Sequence, residues 1–241
     1  MTSTGQWLPY CGVGPVPAEW WGRWNFDPLL LGAMALAAAV LWRSSSMDRR
    51  AGYGFLAVAA FLFVSPFCAM GSALFTVRVV HDVMLAVLLG PLAMAALRLH
   101  QREFPGSLAV WTAVHALTFW GWHAPPLYAA AMDSNVVFWA MQAAIAGTAA
   151  LWWAKVLRAP ATAAAASLLG TMIAMGVLGA LFVFSQRAFY APHWLTTQAW
   201  GFSPLEDQQL AGIVMWAPAS AIYLLAAMAI LYRSIGDGVR A

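Results

Sequence analysis

The chain has 241 residues, of which 63% are hydrophobic and only 9% charged, and its formal net charge is +3. That balance excludes an assembly of soluble domains, and the small positive excess, gathered in short loops, needs no nucleic-acid partner. Apolar stretches of about 20 residues, the length that crosses a bilayer core, recur along the sequence and predict an all-α, polytopic membrane helix bundle.

Residues 1–25 lack the charged n-region and apolar h-region of a signal peptide and read as a short periplasmic tail. A single transmembrane domain over 26–233 and a cytoplasmic tail over 234–241 follow. Seven spans are predicted: Phe26–Trp42, Gly52–Phe67, Ser72–Leu97, Ser107–His123, Val136–Leu157, Thr162–Phe184 and Gln208–Tyr232. Lys and Arg in short loops stay on the cytoplasmic side. Arg43, Arg49, Arg50, Arg98, Arg102, Lys155, Arg158, Arg233 and Arg240 all follow odd-numbered spans. The opposite loops carry Arg23 and Arg187 among Glu19, Asp27, Asp133, Glu206 and Asp207. The N-terminus is therefore expected outside and the C-terminus inside, with Arg43, Arg49 and Arg50 facing anionic lipid head groups of the bilayer.

Two cysteines, Cys11 and Cys68, map to the outer side, where a disulfide, a thiolate ligand and an inert side chain are all compatible with the spacing. Cys68 stands out because it closes span two, just before the span that carries ionisable residues. In that third span, Arg78, His81 and Asp82 share one helical side, and Arg78 reaches both partners across one turn. Ionisable groups at such depth cost at least ~2.5–3.5 kcal/mol each and face a protein interior. Two readings fit them: a self-neutralised Arg–Asp pair that holds helices together, and a functional site.

His123 ends span four before Ala124-Pro125-Pro126, where two prolines stop the helix near the outer surface. His115 lies eight residues deeper, about 12 Å at helical rise, and His81 lies about 13 Å below Ser72, so their depths match. His193 falls in the outer loop between spans six and seven, and His100 on the cytoplasmic side. Imidazole, thiolate and thioether donors from His81, His115, His123, Cys68, Met70 and Met84 form a set that suits copper, with Asp82 as an oxygen donor or an orienting group. No His-x-x-x-His or Cys-x-x-Cys pair accompanies them.

Ser203-Pro204-Leu205-Glu206 predicts a capping box with proline at the first helical position. Beyond it, Asp207, Gln208, Gly212, Trp216 and Pro218 combine polar, small and kinking residues, the pattern of a tightly packed interior helix.

Asp207-Gln208-Gln209-Leu210-Ala211-Gly212, followed by Met215-Trp216 and Pro218, resembles the C-terminal motif of the CtaG-type cytochrome c oxidase assembly factors. Ser65-Pro66, Ala73-Leu74-Phe75 with Arg78 and His81, Trp122-His123-Ala124-Pro125-Pro126-Leu127-Tyr128, Gly176 to Tyr190 and Trp200 to Leu205 continue the resemblance in order along nearly the whole chain. The resemblance implies a multi-pass protein of the bacterial inner membrane that matures haem–copper oxidases, with oxidase subunits or their assembly intermediates and other copper chaperones as partners and a copper role by association. Members often carry a second histidine beside the position matching His81, where this chain has Val77 and Asp82. The expectation is a bundle that holds Cu(I) through His81, His123 and Cys68, with Arg78 and Asp82 setting the charge and Asp207, Gln208 and Trp216 positioning the helices.

No nucleophile–base pair or hydrolytic motif is visible, so an enzyme is not expected. A haem cytochrome with His81 and His115 as axial ligands and a transporter using the Arg78–Asp82 pair are the competing readings. A retinal protein is excluded, since the only lysine, Lys155, lies in a cytoplasmic loop.

Overall fold

A computed structural model describes residues 7–240, with side chains described as far as residue 236. Of the predicted periplasmic tail, residues 1–6 lie outside the described part, as does residue 241 of the predicted cytoplasmic tail. Helix breaks follow local chemistry. Asp27 accepts from the Leu29 amide and Pro28 opens α1 (Pro28–Arg43), while Asp48 accepts from the Ala51 amide to start α2 (Arg49–Phe63). Pro66, capped by Ser65, cannot continue α2, so α3 (Pro66–Ala73) departs from it at 46°.

A second break at Leu74, which is extended, separates α3 from α4 (Phe75–Met84). A π-turn at Leu85–Leu89 joins α4 to α5 (Gly90–Ala96), directly before Pro91. Then come α6 (Leu108–Trp122), α7 (Pro125–Asp133), α8 (Asn135–Arg158) and α9 (Ala161–Phe184). The expected capping box is present: Ser203 accepts from the Glu206 amide and Glu206 accepts from the Ser203 amide, opening α10 (Pro204–Val214). A second π-turn at Met215–Ala219 contains Pro218 and leads into α11 (Ser220–Arg240). Proline lacks an N–H, and a wider turn absorbs the missing bond without ending the helix.

Phe75–Ala96, Asn135–Arg158, Ala161–Phe184 and Pro204–Gly236 are long and apolar enough to cross a bilayer, and the bent pair α2–α3 makes a fifth. The predicted first and fourth spans correspond to α1 and α6, of 16 and 15 residues. At helical rise these reach about 22–24 Å, short of a hydrocarbon core of ~30 Å. Among the described residues, length and composition thus support four crossings, or five with the bent pair, and do not clearly show the seven expected.

The two ends of the bundle differ. At one, Lys155 donates to the Phe104 carbonyl (2.7 Å), Arg158 pairs with Glu103 (3.1 Å) and the Asp48 amide reaches the Ala96 carbonyl (3.0 Å). At the other, the segment before α1 is bound down rather than free. Cys11 is bridged to Cys68 (Cα–Cα 5.5 Å), Tyr10 donates to Asp27 (2.5 Å), and the Trp200 indole donates to the Pro15 carbonyl (2.9 Å).

Two consecutive residues of α10 tie this end together. Asp207 accepts from the Phe75 amide (2.6 Å) and the Thr76 amide (3.2 Å), while the Thr76 hydroxyl donates to the Asp207 carbonyl (2.7 Å). Leu74, at the N-cap position of α4, offers no side-chain acceptor, so a carboxylate from another helix caps α4. Gln208 accepts from the Phe189 amide (2.7 Å) and donates to the Arg187 carbonyl (3.0 Å). One turn later, α10 meets α9 backbone to backbone. A Cβ on Gly179 would stand 2.7 Å from the Gly212 carbonyl oxygen, and one on Gly212 would stand 2.6 Å from that of Gly179.

Asp207→Ala orphans the buried Phe75 amide, costing about 1–3 kcal/mol, and the partly buried Thr76 amide, costing less. It should lower the apparent thermal midpoint in detergent by several degrees, and Asp207→Asn by less, as read by static light scattering. Gly212→Val should abolish the folded monomer on size exclusion, because a backbone oxygen cannot retreat from the added carbons.

Candidate functional site

Leu74 ends the α3 segment and lets α4 restart inside the bundle, which aims one face of its first two turns inward. Arg78, His81 and Asp82 are on that face, and all three are fully buried. Asp82 lies between two imidazoles: His81 Nδ1 is 3.5 Å from Oδ1, and Nε2 of His123, at the C-terminal end of α6, is 3.7 Å from Oδ2. The expected ion pair between Arg78 and Asp82 does not form. The Arg78 guanidinium instead lies 5.2 Å over the Phe138 ring of α8 and against Gly71 of α3, where a Cβ would come within 3.1 Å of Cζ. A bulkier residue at position 71 would displace the cation, and the ring face compensates part of its charge.

An aromatic shell seals the group. Phe63 packs edge-on to His81 (centroids 5.1 Å), Phe119 stacks on His123 (4.5 Å), and Phe75 stacks on Tyr190 (3.8 Å). The Tyr190 hydroxyl donates to the His123 carbonyl (2.7 Å), which fixes the end of α6. His123 Nδ1 is 2.8 Å from the Phe119 carbonyl. A carbonyl only accepts, so Nδ1 carries the hydrogen and the Nε2 lone pair faces the Asp82 carboxylate. Two acceptors thus oppose each other in a dry interior. No protein hydrogen-bond partner satisfies either carboxylate oxygen of Asp82, either ring nitrogen of His81, Nε2 of His123 or any guanidinium nitrogen of Arg78.

These orphaned atoms are chemically suited to a cation, yet among the described residues no three His, Cys, Asp or Glu side chains stand in a metal-holding arrangement. Cys68 leaves the expected ligand set, because its sulfur is spent in the bridge to Cys11. The remaining donors, two imidazoles and a carboxylate, are harder than the thiolate-containing set. His115 is not drawn in either. It is buried, but it hydrogen-bonds Thr148 (3.1 Å) and stacks on Trp152 (5.2 Å), sharing neither Asp82 nor Phe63 with His81. The matching depths of His81 and His115 therefore do not bring the two rings against a common neighbour, which speaks against the axial-ligand reading. Trp216, expected in a packed interior, is 45% exposed and rests on Phe184 (5.8 Å), because the π-turn rotates it outward.

His193, which sequence reading placed only in a loop, turns inward to Tyr128, with Nε2 2.6 Å from the hydroxyl. Its signal in the sequence was faint: Tyr128 and Tyr190 belong to the motif stretches, but nothing in the spacing pairs them with position 193. Burial, then the Arg78 charge, push its pKa down from the usual 6.5 to about 3. An unfolded chain therefore takes up a proton near pH 6.5 that the folded chain refuses. Stability credited to neutral His193 is full above pH 6.5 and falls with pH between about 6.5 and 3. His193→Gln should flatten the acid limb of the stability–pH curve by about 1.4 kcal/mol per pH unit, one proton's worth. Thermal scans from pH 7.5 to 5 check this.

A sequence model of the cytochrome c oxidase caa3 assembly factors matches residues 30–236, from the first helix through most of the last. No curated protein and no solved structure matches the chain. The matched stretch holds every residue described above at the buried site, together with α10 and the Asp207 cap that positions it, and on this match the chain belongs to the cytochrome c oxidase caa3 assembly factor family.

Proposed function

We propose that this chain assists oxidase maturation in the bacterial inner membrane by holding a copper ion as cargo between His81, Asp82 and His123. The observation that carries the reading is the opposition of the His123 Nε2 lone pair and the Asp82 carboxylate at 3.7 Å, with His81 Nδ1 on the other carboxylate oxygen. Such a pair is repulsive unless a proton or a metal cation stands between the two acceptors, and a metal is the proposed occupant. Spacings of 3.5–3.7 Å between donor atoms also match what two ligands about 2 Å from one ion would show. Three donors on two helices, with no thiolate, give incomplete coordination, which favours release to an acceptor over storage. Oxidase subunits or their assembly intermediates are the recipients in this reading.

The cargo end is assigned to the periplasm. Disulfides persist in oxidising compartments, and Cys11–Cys68 lies at the His123 end. The basic residues near Arg49, Arg102 and Arg158 gather at the opposite end, where positive charge is retained in the cytoplasm. In this orientation α1 and α6 also cross, by local thinning of the bilayer around short helices, which gives seven crossings with the N-terminus outside.

The test is copper content and optical spectrum of detergent-purified protein after anaerobic Cu(I) loading and, separately, Cu(II) loading, beside the His81→Ala, His123→Ala double variant. The expected result is near one copper per chain with a loss of more than tenfold in the variant. Equal copper in both proteins, or none retained by the parent chain, overturns the proposal, and a haem band would replace it with the cytochrome reading.

A further inference from the structure

The helix α1 is set off from the bundle: Leu41 is its one fully buried side chain among the described residues. Beneath it run two cavities, of about 380 Å³ and 260 Å³, that share Ala33, Ala37, Phe55 and Leu56 as walls. They adjoin along α1 at these shared walls, and together they are called the groove below. One end is walled by Met47 and Leu97, at the basic end of the bundle, and the other by Phe63 and Trp139. From Leu30 to Leu41, both wall residues, the helix rises about 16 Å. Small side chains on α1 and α8, including Ala33, Ala37, Ala143 and Ala146, create the space.

Nothing charged lines either cavity, and the one amide is Gln142 of α8, which is 2% exposed. Neither its nitrogen nor its oxygen has a hydrogen-bond partner. An amide so placed in a membrane interior costs free energy unless something supplies both an acceptor and a donor, or one of them. Volumes of about 380 and 260 Å³ suit a single hydrocarbon chain and are far too small for a helix. A charged phosphate head group would have no counter-charge on these walls.

We propose that this groove binds a membrane-resident amphiphile with one long hydrocarbon chain and a small uncharged carbonyl or hydroxyl head, the head meeting Gln142 and the chain lying beneath α1. Phe63 walls the head end and packs edge-on to His81 at 5.1 Å, so the occupant lies one aromatic ring from the buried site. The proposal does not depend on copper being the cargo.

The test uses the full chain in nanodiscs of phosphatidylcholine, labelled with two diazirine probes of equal length. One is a C16 alcohol and the other a phosphatidylcholine with the diazirine in its acyl chain. The alcohol probe should label α1 and α2 at Ala33, Ala37, Phe55 and Leu56, and unlabelled C16 alcohol should compete. Gln142→Leu, which keeps the volume, should weaken competition five- to tenfold, the worth of about one hydrogen bond. Ala37→Trp should block labelling, and Ala33→Leu provides a milder filling variant should the first misfold on size exclusion. Equal labelling of the groove by both probes would show ordinary bilayer lipid there and overturn the proposal, as would competition unchanged by Gln142→Leu. Copper retention measured on the same Gln142→Leu protein is expected to equal that of the parent chain, which separates failure of this site from failure of the cargo site.

Discussion

A carboxylate that serves another helix is the constraint on which the rest depends. Where α3 gives way to α4 at Leu74, the first amides of α4 have no local acceptor, and Asp207 reaches across from α10 to take those of Phe75 and Thr76. That cap sets where α4 begins, and the start of α4 sets which side of it carries Arg78, His81 and Asp82 inward. The price of the break is two orphaned donors in a region without water, and only a distant acidic residue meets it at the right depth. Gln208 extends the clamp to the segment that holds Tyr190 and His193, so one turn of α10 positions two walls of the site.

The buried layer itself is arranged for tension rather than for neutrality. Arg78 is held by a ring face and a glycine-sized gap in α3, away from the carboxylate four residues on. Asp82 is left to two imidazoles, one of which is locked by the Phe119 carbonyl into presenting a lone pair. A purely structural ion pair would have brought Arg78 and Asp82 together, since that removes both charges from account. Their separation inside an aromatic shell is the physical argument for a site.

Much of this was legible in the sequence, and the failures have definite causes. The capping box at Ser203 and Glu206 could be read because its chemistry is local. Burial of Arg78, His81 and Asp82 followed from their place in an apolar run, whereas His123, expected at the aqueous boundary, is 2% exposed. By contrast, the reason for Asp207 and Gln208 was hidden, because their partners at Phe75, Thr76, Arg187 and Phe189 are backbone groups with no sequence signature. Helical spacing suggested an Arg78–Asp82 pair because it cannot see Phe138 competing for the cation. The state of Cys11 and Cys68 was open for the same reason: proximity is tertiary. Seven apolar stretches were counted, but hydropathy does not register that Pro66 bends α2 from α3 or that α1 and α6 stop early. Gln142, a lone amide in span five, was not singled out from the sequence, because its lack of partners is a tertiary fact.

The glycine contact between α9 and α10 divides the bundle mechanically. Two backbones that touch at Gly179 and Gly212 have no side chains to slide or repack between them, so these helices move as one rigid body. The α1 side has the opposite character, with a helix standing off a groove and a bent α2–α3 pair beneath it. Room for rearrangement therefore lies on the α1–α3 side. His81 and Asp82 are on α4, the helix between the tightly packed and the loosely packed side.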